Sequence, residues 1–168
     1  MTDEALLRDV LLVKVPAATA AFWIVKILAT TLGEVAGNLL SMDMKLGYAE
    51  ATVLLGLLFA GLAVLQVRAR RFNPWLYWST IIASTTAGTT LADFATRSIG
   101  LGYTGGSLLL FGLVLGSLLS WHMTLGRISA DDIADRRTEA FYWLTITFSQ
   151  TLGTALGDWF ADTAGFGY

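Results

Sequence analysis

Val53-Leu54-Leu55-Gly56-Leu57-Leu58-Phe59-Ala60-Gly61-Leu62-Ala63-Val64-Leu65 is an unbroken run of thirteen apolar residues. A helix built on it is apolar all round and has no face to show to water. Leu108 to Leu119 reads the same way. Both stretches argue against the competing reading, a soluble all-helical domain. The composition agrees: of 168 residues, 55% are hydrophobic and 14% charged, with a mean hydropathy of +0.62. A soluble domain carries about a quarter charged residues. This chain has too little charge to coat a water-facing surface, so the expected solvent for its outer faces is a lipid bilayer.

Working outward from these runs, a bilayer-crossing helix needs about 20 residues, and five segments qualify. They are about Ala17 to Ser41, Ala51 to Val67, Trp75 to Thr96, Ser107 to Leu125 and Ala140 to Ala164. The first and third start just after Pro16 and Pro74, where proline is tolerated. The fold class is therefore an all-α integral membrane protein. Arg68, Arg70 and Arg71 follow the second segment, Arg127, Arg136 and Arg137 follow the fourth, and Arg8 and Lys14 precede the first. The opposite loops hold only Lys45 and Arg97. The positive-inside rule then expects a cytoplasmic N-terminus and an outer Tyr168.

A net charge of −2 offers no basic surface to nucleic acid. There is no cysteine, and His122 is the one histidine, so neither a thiolate nor a histidine-based metal cluster is expected. The start Met1-Thr2-Asp3-Glu4 lacks the basic region of a cleaved signal peptide. No Ser-His-acid set or nucleotide loop is visible. The glycine-rich stretch from Gly100 to Gly106 lacks the lysine of a phosphate loop and reads as an outer turn. The expectation is a non-enzymatic protein without a cofactor. The identity of any metal stays open.

The chain repeats itself. Ala21 to Tyr48, Leu76 to Tyr103 and Phe141 to Tyr168 align without gaps. Trp23, Trp78 and Trp143 coincide, as do Thr31, Thr86 and Thr151, and then Gly33, Gly88 and Gly153. Gly37, Ala92 and Gly157 share a column. So do Asn38, Asp93 and Asp158, and finally Tyr48, Tyr103 and Tyr168. Each unit is a polar helix, a turn, an apolar helix and a basic loop. The implied organisation is an N-terminal segment over 1–16, a first repeat over 17–75, a second over 76–139, and the first helix and turn of a third over 140–168. Two helices per unit make successive repeats parallel.

On Phe22-Trp23, Tyr77-Trp78 and Tyr142-Trp143, with Thr30-Thr31-Leu32-Gly33-Glu34, Thr89-Thr90-Leu91-Ala92-Asp93-Phe94-Ala95-Thr96-Arg97 and Ser149 through Asp158, the chain resembles a family of uncharacterised bacterial inner-membrane proteins. That family is built from tandem two-helix repeats of unknown function, each with a characteristic tryptophan. The resemblance covers Lys14 to Tyr168. Members usually carry four repeats and eight helices, which implies that this chain is a fragment of such a bundle. The resemblance implies a fold and a location, and no activity.

The polar residues of the first, third and fifth helices carry the chemistry. Asp93 and Asp158 lie 15 residues beyond Trp78 and Trp143, or about 22 Å along a helix. Glu34 lies 11 beyond Trp23, about 16 Å in. Lys26, Thr30, Glu34 and Asn38 share one helix stripe; Thr86, Thr90, Asp93 and Arg97 make a second; Thr147, Thr151, Thr154, Asp158 and Asp162 make a third. A charge facing lipid at mid-membrane costs at least about 2.5 kcal/mol, so the stripes are expected to face protein or water, around a shared interior. Glu34, Asn38, Asp93, Asp158 and Asp162 are candidate ligand-binding or coupling groups, supported by Thr86, Thr90, Thr151 and Thr154. Lys26 and Arg97 are counter-charges. Trp23, Trp78 and Trp143 are expected as interfacial anchors. The glycine columns read as close helix packing.

Two functions follow. Carboxylates beside hydroxyls suit a small transporter or permease that binds a cation or couples to protons. The other reading is a structural or assembly protein whose stripes are packing ion pairs, with Asp93 paired to Arg97 and Lys26 to Glu34 through neighbours. A homo-oligomer, or further C-terminal repeats, would cover the fifth helix. The substrate is a small solute or cation not specified by the sequence.

Overall fold

The computed structural model describes residues 14–129, 133, 135–165 and 167. The N-terminal segment with Arg8, Asp131 and Asp132 in the fourth-to-fifth linker, and Tyr168 lie outside the described residues. Five helices follow one another: α1 (Ala20–Asn38), α2 (Tyr48–Arg68), α3 (Pro74–Asp93), α4 (Gly102–Leu125) and α5 (Arg136–Asp158). Among the described residues there is no strand.

Local chemistry sets the starts. Thr19 caps α1 by accepting the Phe22 N–H (3.2 Å). Asn73 accepts from Trp75 and Leu76 at the head of α3, with Pro74 in the first turn. Asp135 accepts from Arg137 and Thr138 at the head of α5. Each such cap contributes about 1 kcal/mol. The caps at Asn73 and Asp135 sit in the basic loops, which is why α5 begins at Arg136 rather than near Ala140. α4 ends at Gly126, whose φ of +73° is left-handed and whose N–H reaches the His122 carbonyl at 2.7 Å.

Helix α4 begins at Gly102, so the stretch read as an outer turn up to Gly106 is mostly its first turn. Packing is the reason: a Cβ on Gly106 would lie 2.5 Å from Thr96 Cγ2. Gly106 permits close approach here.

Three of the polar-column residues open π turns. Asn38 leads into Leu39–Asp43, Asp93 into Phe94–Ser98 and Asp158 into Trp159–Thr163. These turns start 55 and then 65 residues apart, the offsets that superpose Trp23, Trp78 and Trp143. A widened turn recurring at one position in three units is a property of the repeat. Such turns concentrate at functional places in helices.

The molecule is apolar outside, and its interior combines an aromatic cluster around Tyr77, Trp121 and Trp143 with a polar stretch along α3. Helix α3 lies at the centre, packed against α1, α2 and α5, while α4 packs on α5 and on the π turn that follows α3. The interior face of α3 is hydroxyl-rich: Thr80, Ser84, Thr85, Thr86, Thr89 and Thr90 are all buried. Leu28, Leu32 and Val35 of α1, Leu54 and Leu57 of α2, and Leu108 and Phe111 of α4 are exposed. In water this arrangement would forfeit the burial that drives folding; in lipid it is the ordinary one. Three helical stretches, Ala20–Asp43, Tyr48–Arg68 and Gly102–Leu125, are long and apolar enough to cross a membrane. The other two are diluted by hydroxyls that α3 keeps enclosed and α5 partly so.

Candidate functional site: a polar groove beside an arginine cluster

Two contact series hold the three polar helices together. Gly33 and Gly37 of α1 face α3: an added Cβ would fall 2.8 Å from Thr85 Cβ and 3.1 Å from the Thr86 carbonyl. Gly88 of α3 faces α5, with Thr151 Oγ1 at 2.8 Å from such a Cβ. The next pair in the series, Gly153 and Gly157, has nothing within 4 Å and borders a groove.

That groove lies between α1 and α5 above α3. Its volume is about 470 Å³, and Thr30, Glu34, Thr85, Gln150, Thr154 and Asp158 line it. Glu34 is exposed there and makes no ion pair among the described residues. The expected pairing with Lys26 does not form. Lys26 Nζ instead donates to Gln150 Oε1 at 3.1 Å.

Gln150 is a hub that motif reasoning passed over. Its Oε1 also accepts from Thr85 Oγ1 (2.7 Å), and its Nε2 donates to Ser84 Oγ (2.8 Å). One amide therefore joins α1, α3 and α5. A signal was present: Gln150 stands in the column held by Thr30 and Thr85, and a longer side chain there can reach across.

At the far end of α3 the charges gather on Arg97. Its Nε pairs with Asp93 Oδ1 at 3.1 Å, and its Nη2 with Asp158 Oδ2 at 3.3 Å. Nη1 donates to the Tyr48 hydroxyl at 3.2 Å. The guanidinium also lies over the rings of Tyr48 and Tyr103 (5.9 and 5.7 Å to the centroids), a cation–π arrangement. Tyr103 in turn donates to Asp162 at 2.7 Å. Residues of all three units thus meet at one guanidinium. Tyr48 and Tyr103 stood out in the sequence as a repeat column, but only the fold shows them on Arg97. Asp93 is almost wholly enclosed, at 2% exposure, so the pair with Arg97 is what makes its charge tolerable.

Other expected site residues play different parts. The hydroxyls of Thr86, Thr90 and Thr151 are buried between the helices and are occupied there by their own backbone. Each donates to a carbonyl of its own helix, at Ile82 (2.8 Å), Ala87 (3.1 Å) and Thr147 (2.8 Å). A buried hydroxyl on a helix satisfies itself this way when no better acceptor is near. Thr154 does line the groove. Asn38 is half-buried at the entry to its π turn. The tryptophans diverge: Trp23 is exposed and Trp78 half-buried, but Trp143 is enclosed at 3%. Trp143 packs on Tyr77 (5.6 Å between centroids) and belongs to the core. The cause is position: α5 is covered on that side by α3 and α4.

Among the described residues no cluster of three or more His, Cys, Asp or Glu side chains is placed to hold a metal ion. The oxygen set of the groove is one unpaired carboxylate, one carboxylate shared with Arg97, an amide and hydroxyls.

An apolar-surfaced helical bundle with a hydroxyl-lined core defines the class, a membrane protein built from repeats. A family model described as Repeat of Unknown Function (DUF347) matches residues 21–72, 76–126 and 141–168. The chain belongs to this family. No curated protein and no solved structure matches it.

Proposed function

We propose that this protein is a small permease of the bacterial inner membrane that binds a monovalent cation or couples to protons in the groove between α1 and α5. All five helices span the bilayer in this reading, as parallel two-helix repeats, with the arginine-rich loops cytoplasmic. The observation that carries it is Glu34: an exposed carboxylate, without an ion-pair partner among the described residues, in a polar groove on a helical stretch long and apolar enough to cross a membrane. A bare charge there is costly, and a cation, a proton or water in the groove removes the cost. Glu34 is the principal binding group, with Thr30, Gln150 and Thr154 as neutral oxygen donors and Asp158 at the rim. Asp93 and Arg97 hold the helices and close the far end.

The test is thermal stability of the purified protein in detergent, scanned against monovalent cations, small organic cations and pH. A ligand confined to the folded state stabilises it by about 2.7 kcal/mol at a hundredfold excess over its dissociation constant. A cation-specific rise lost in Glu34→Gln, with the baseline melting temperature unchanged, is the expected result. A flat scan would end this reading.

The alternative, a non-catalytic assembly protein, draws on a separate observation: Asp93, Asp158 and Asp162 are already partnered within the chain. It predicts that neutralising acids alters stability alone.

A further inference from the structure

At the end of the bundle opposite Arg97 there is a second closure built from groups that the groove does not use. The backbone N–H of Lys14 donates to the Ile133 carbonyl at 3.2 Å. Its Nζ donates to Glu139 Oε2 at 2.8 Å and to the Val67 carbonyl at 3.1 Å. Lys14 therefore ties the entry to α1 to the loop before α5, to the first turn of α5 and to the last turn of α2. Both partners are enclosed, with side-chain exposures of 6% for Lys14 and 1% for Glu139.

This closure is incompletely satisfied. Glu139 uses one oxygen, and its Oε1 has no partner among the described residues. Next to Val67 in sequence is Gln66, fully buried with neither amide atom partnered among the described residues, and one turn beyond Glu139 is Trp143, whose indole N–H likewise has no partner among them. Trp143, Tyr77, Ile133 and Val67 belong to the same core cluster. Unpartnered buried polar atoms cost free energy that hydration recovers. Trp121 of the same cluster also has an indole N–H without a partner among the described residues, while Thr89 and Ser107 carry such hydroxyls elsewhere; most of these groups collect at the end that the Lys14 ion pair closes, and the structure is poised to open there.

We infer that Lys14 and Glu139 form a releasable gate at the arginine-rich end, and that its opening hydrates Gln66 and Trp143. With Arg97 closing the other end, the bundle then has a closure on each side of its polar core. This inference rests on the permease reading for its purpose but is tested without any solute, so the two fail separately.

The chain has no cysteine, so one introduced thiol reports alone. Gln66→Cys reports the gate. Thr96→Cys, buried at the other end, reports general loosening. A charged, water-soluble maleimide is added to each full-length variant in detergent. With Lys14 present, both thiols are expected to react slowly. Lys14→Met is expected to speed labelling at position 66 by about tenfold or more, as cheaper local opening does, while position 96 stays protected. Lys14→Arg, which keeps the charge, is expected to restore slow labelling at 66. Equal labelling of position 66 with and without Lys14, fast labelling at 66 in the clasped protein, acceleration at both positions or failure of arginine to rescue would each overturn the gate.

Discussion

Replacing Arg97 with methionine is the sharpest perturbation of the charge cluster. The side chain keeps comparable bulk and loses its charge. Asp93 is then left enclosed without a cation, and Asp158 loses its partner at 3.3 Å. Removing one member of a buried pair typically costs about 3–5 kcal/mol. Arg97 is 31% exposed, so water and rearrangement relieve part of that, and about 2–3 kcal/mol is the reasoned cost. For a chain of this size that lowers the melting temperature by roughly 4–12 °C. Asp93→Asn removes the same buried charge and is expected to cost less alone, about 1–2 kcal/mol. The double variant is the decisive one. With no orphaned charge at position 93, it is expected to be at least as stable as Arg97→Met, giving a coupling of about 1 kcal/mol or more between the sites. The assay is thermal unfolding of all four proteins in one detergent. Strict additivity would refute the claim that Arg97 holds Asp93 as a charge.

Gln150→Leu is expected to destabilise by about 1–3 kcal/mol, because it takes the amide partner from Lys26 and leaves Ser84 and Thr85 with only the Ile81 carbonyl. Adding Lys26→Met to it is expected to recover part of that loss, as measured by the same melts. Gly33→Ala is expected to destabilise by about 1–3 kcal/mol, since its Cβ would meet Thr85 and the Ile82 carbonyl at 2.8 and 2.9 Å. Gly112→Ala, with open space around it, is expected to be neutral or to gain about 0.5–1 kcal/mol from helix propensity. Equal effects at the two glycines would contradict the packing of α1 on α3.

The site divides into parts legible in the sequence and parts that are not. Asp93 with Arg97 was legible, because two residues four apart share a helix face in any fold that keeps the helix. Lys26 with Glu34 was misread by the same kind of spacing. Once α5 is in place, Gln150 is the nearer acceptor for Lys26. The gate at Lys14 was invisible, because its partner is 125 residues away. No local pattern encodes such a meeting. Trp143 shows the limit of reading by column: three equivalent tryptophans receive three different degrees of cover, set by which side of each helix its neighbours occupy.

The sequence by itself determined the solvent, the helices and the repeat. Hydrocarbon demands runs such as Val53 to Leu65, and chain period sets helix and column, all from local covalent order. The tertiary structure alone decided which polar groups would be spent. It paired Arg97 with Asp93 and Asp158, returned the hydroxyls of Thr86, Thr90 and Thr151 to their own backbone, and left Glu34 open in a groove. Those outcomes depend on distances of a few ångströms between helices, and one sequence read alone specifies no distance between residues that are far apart along the chain.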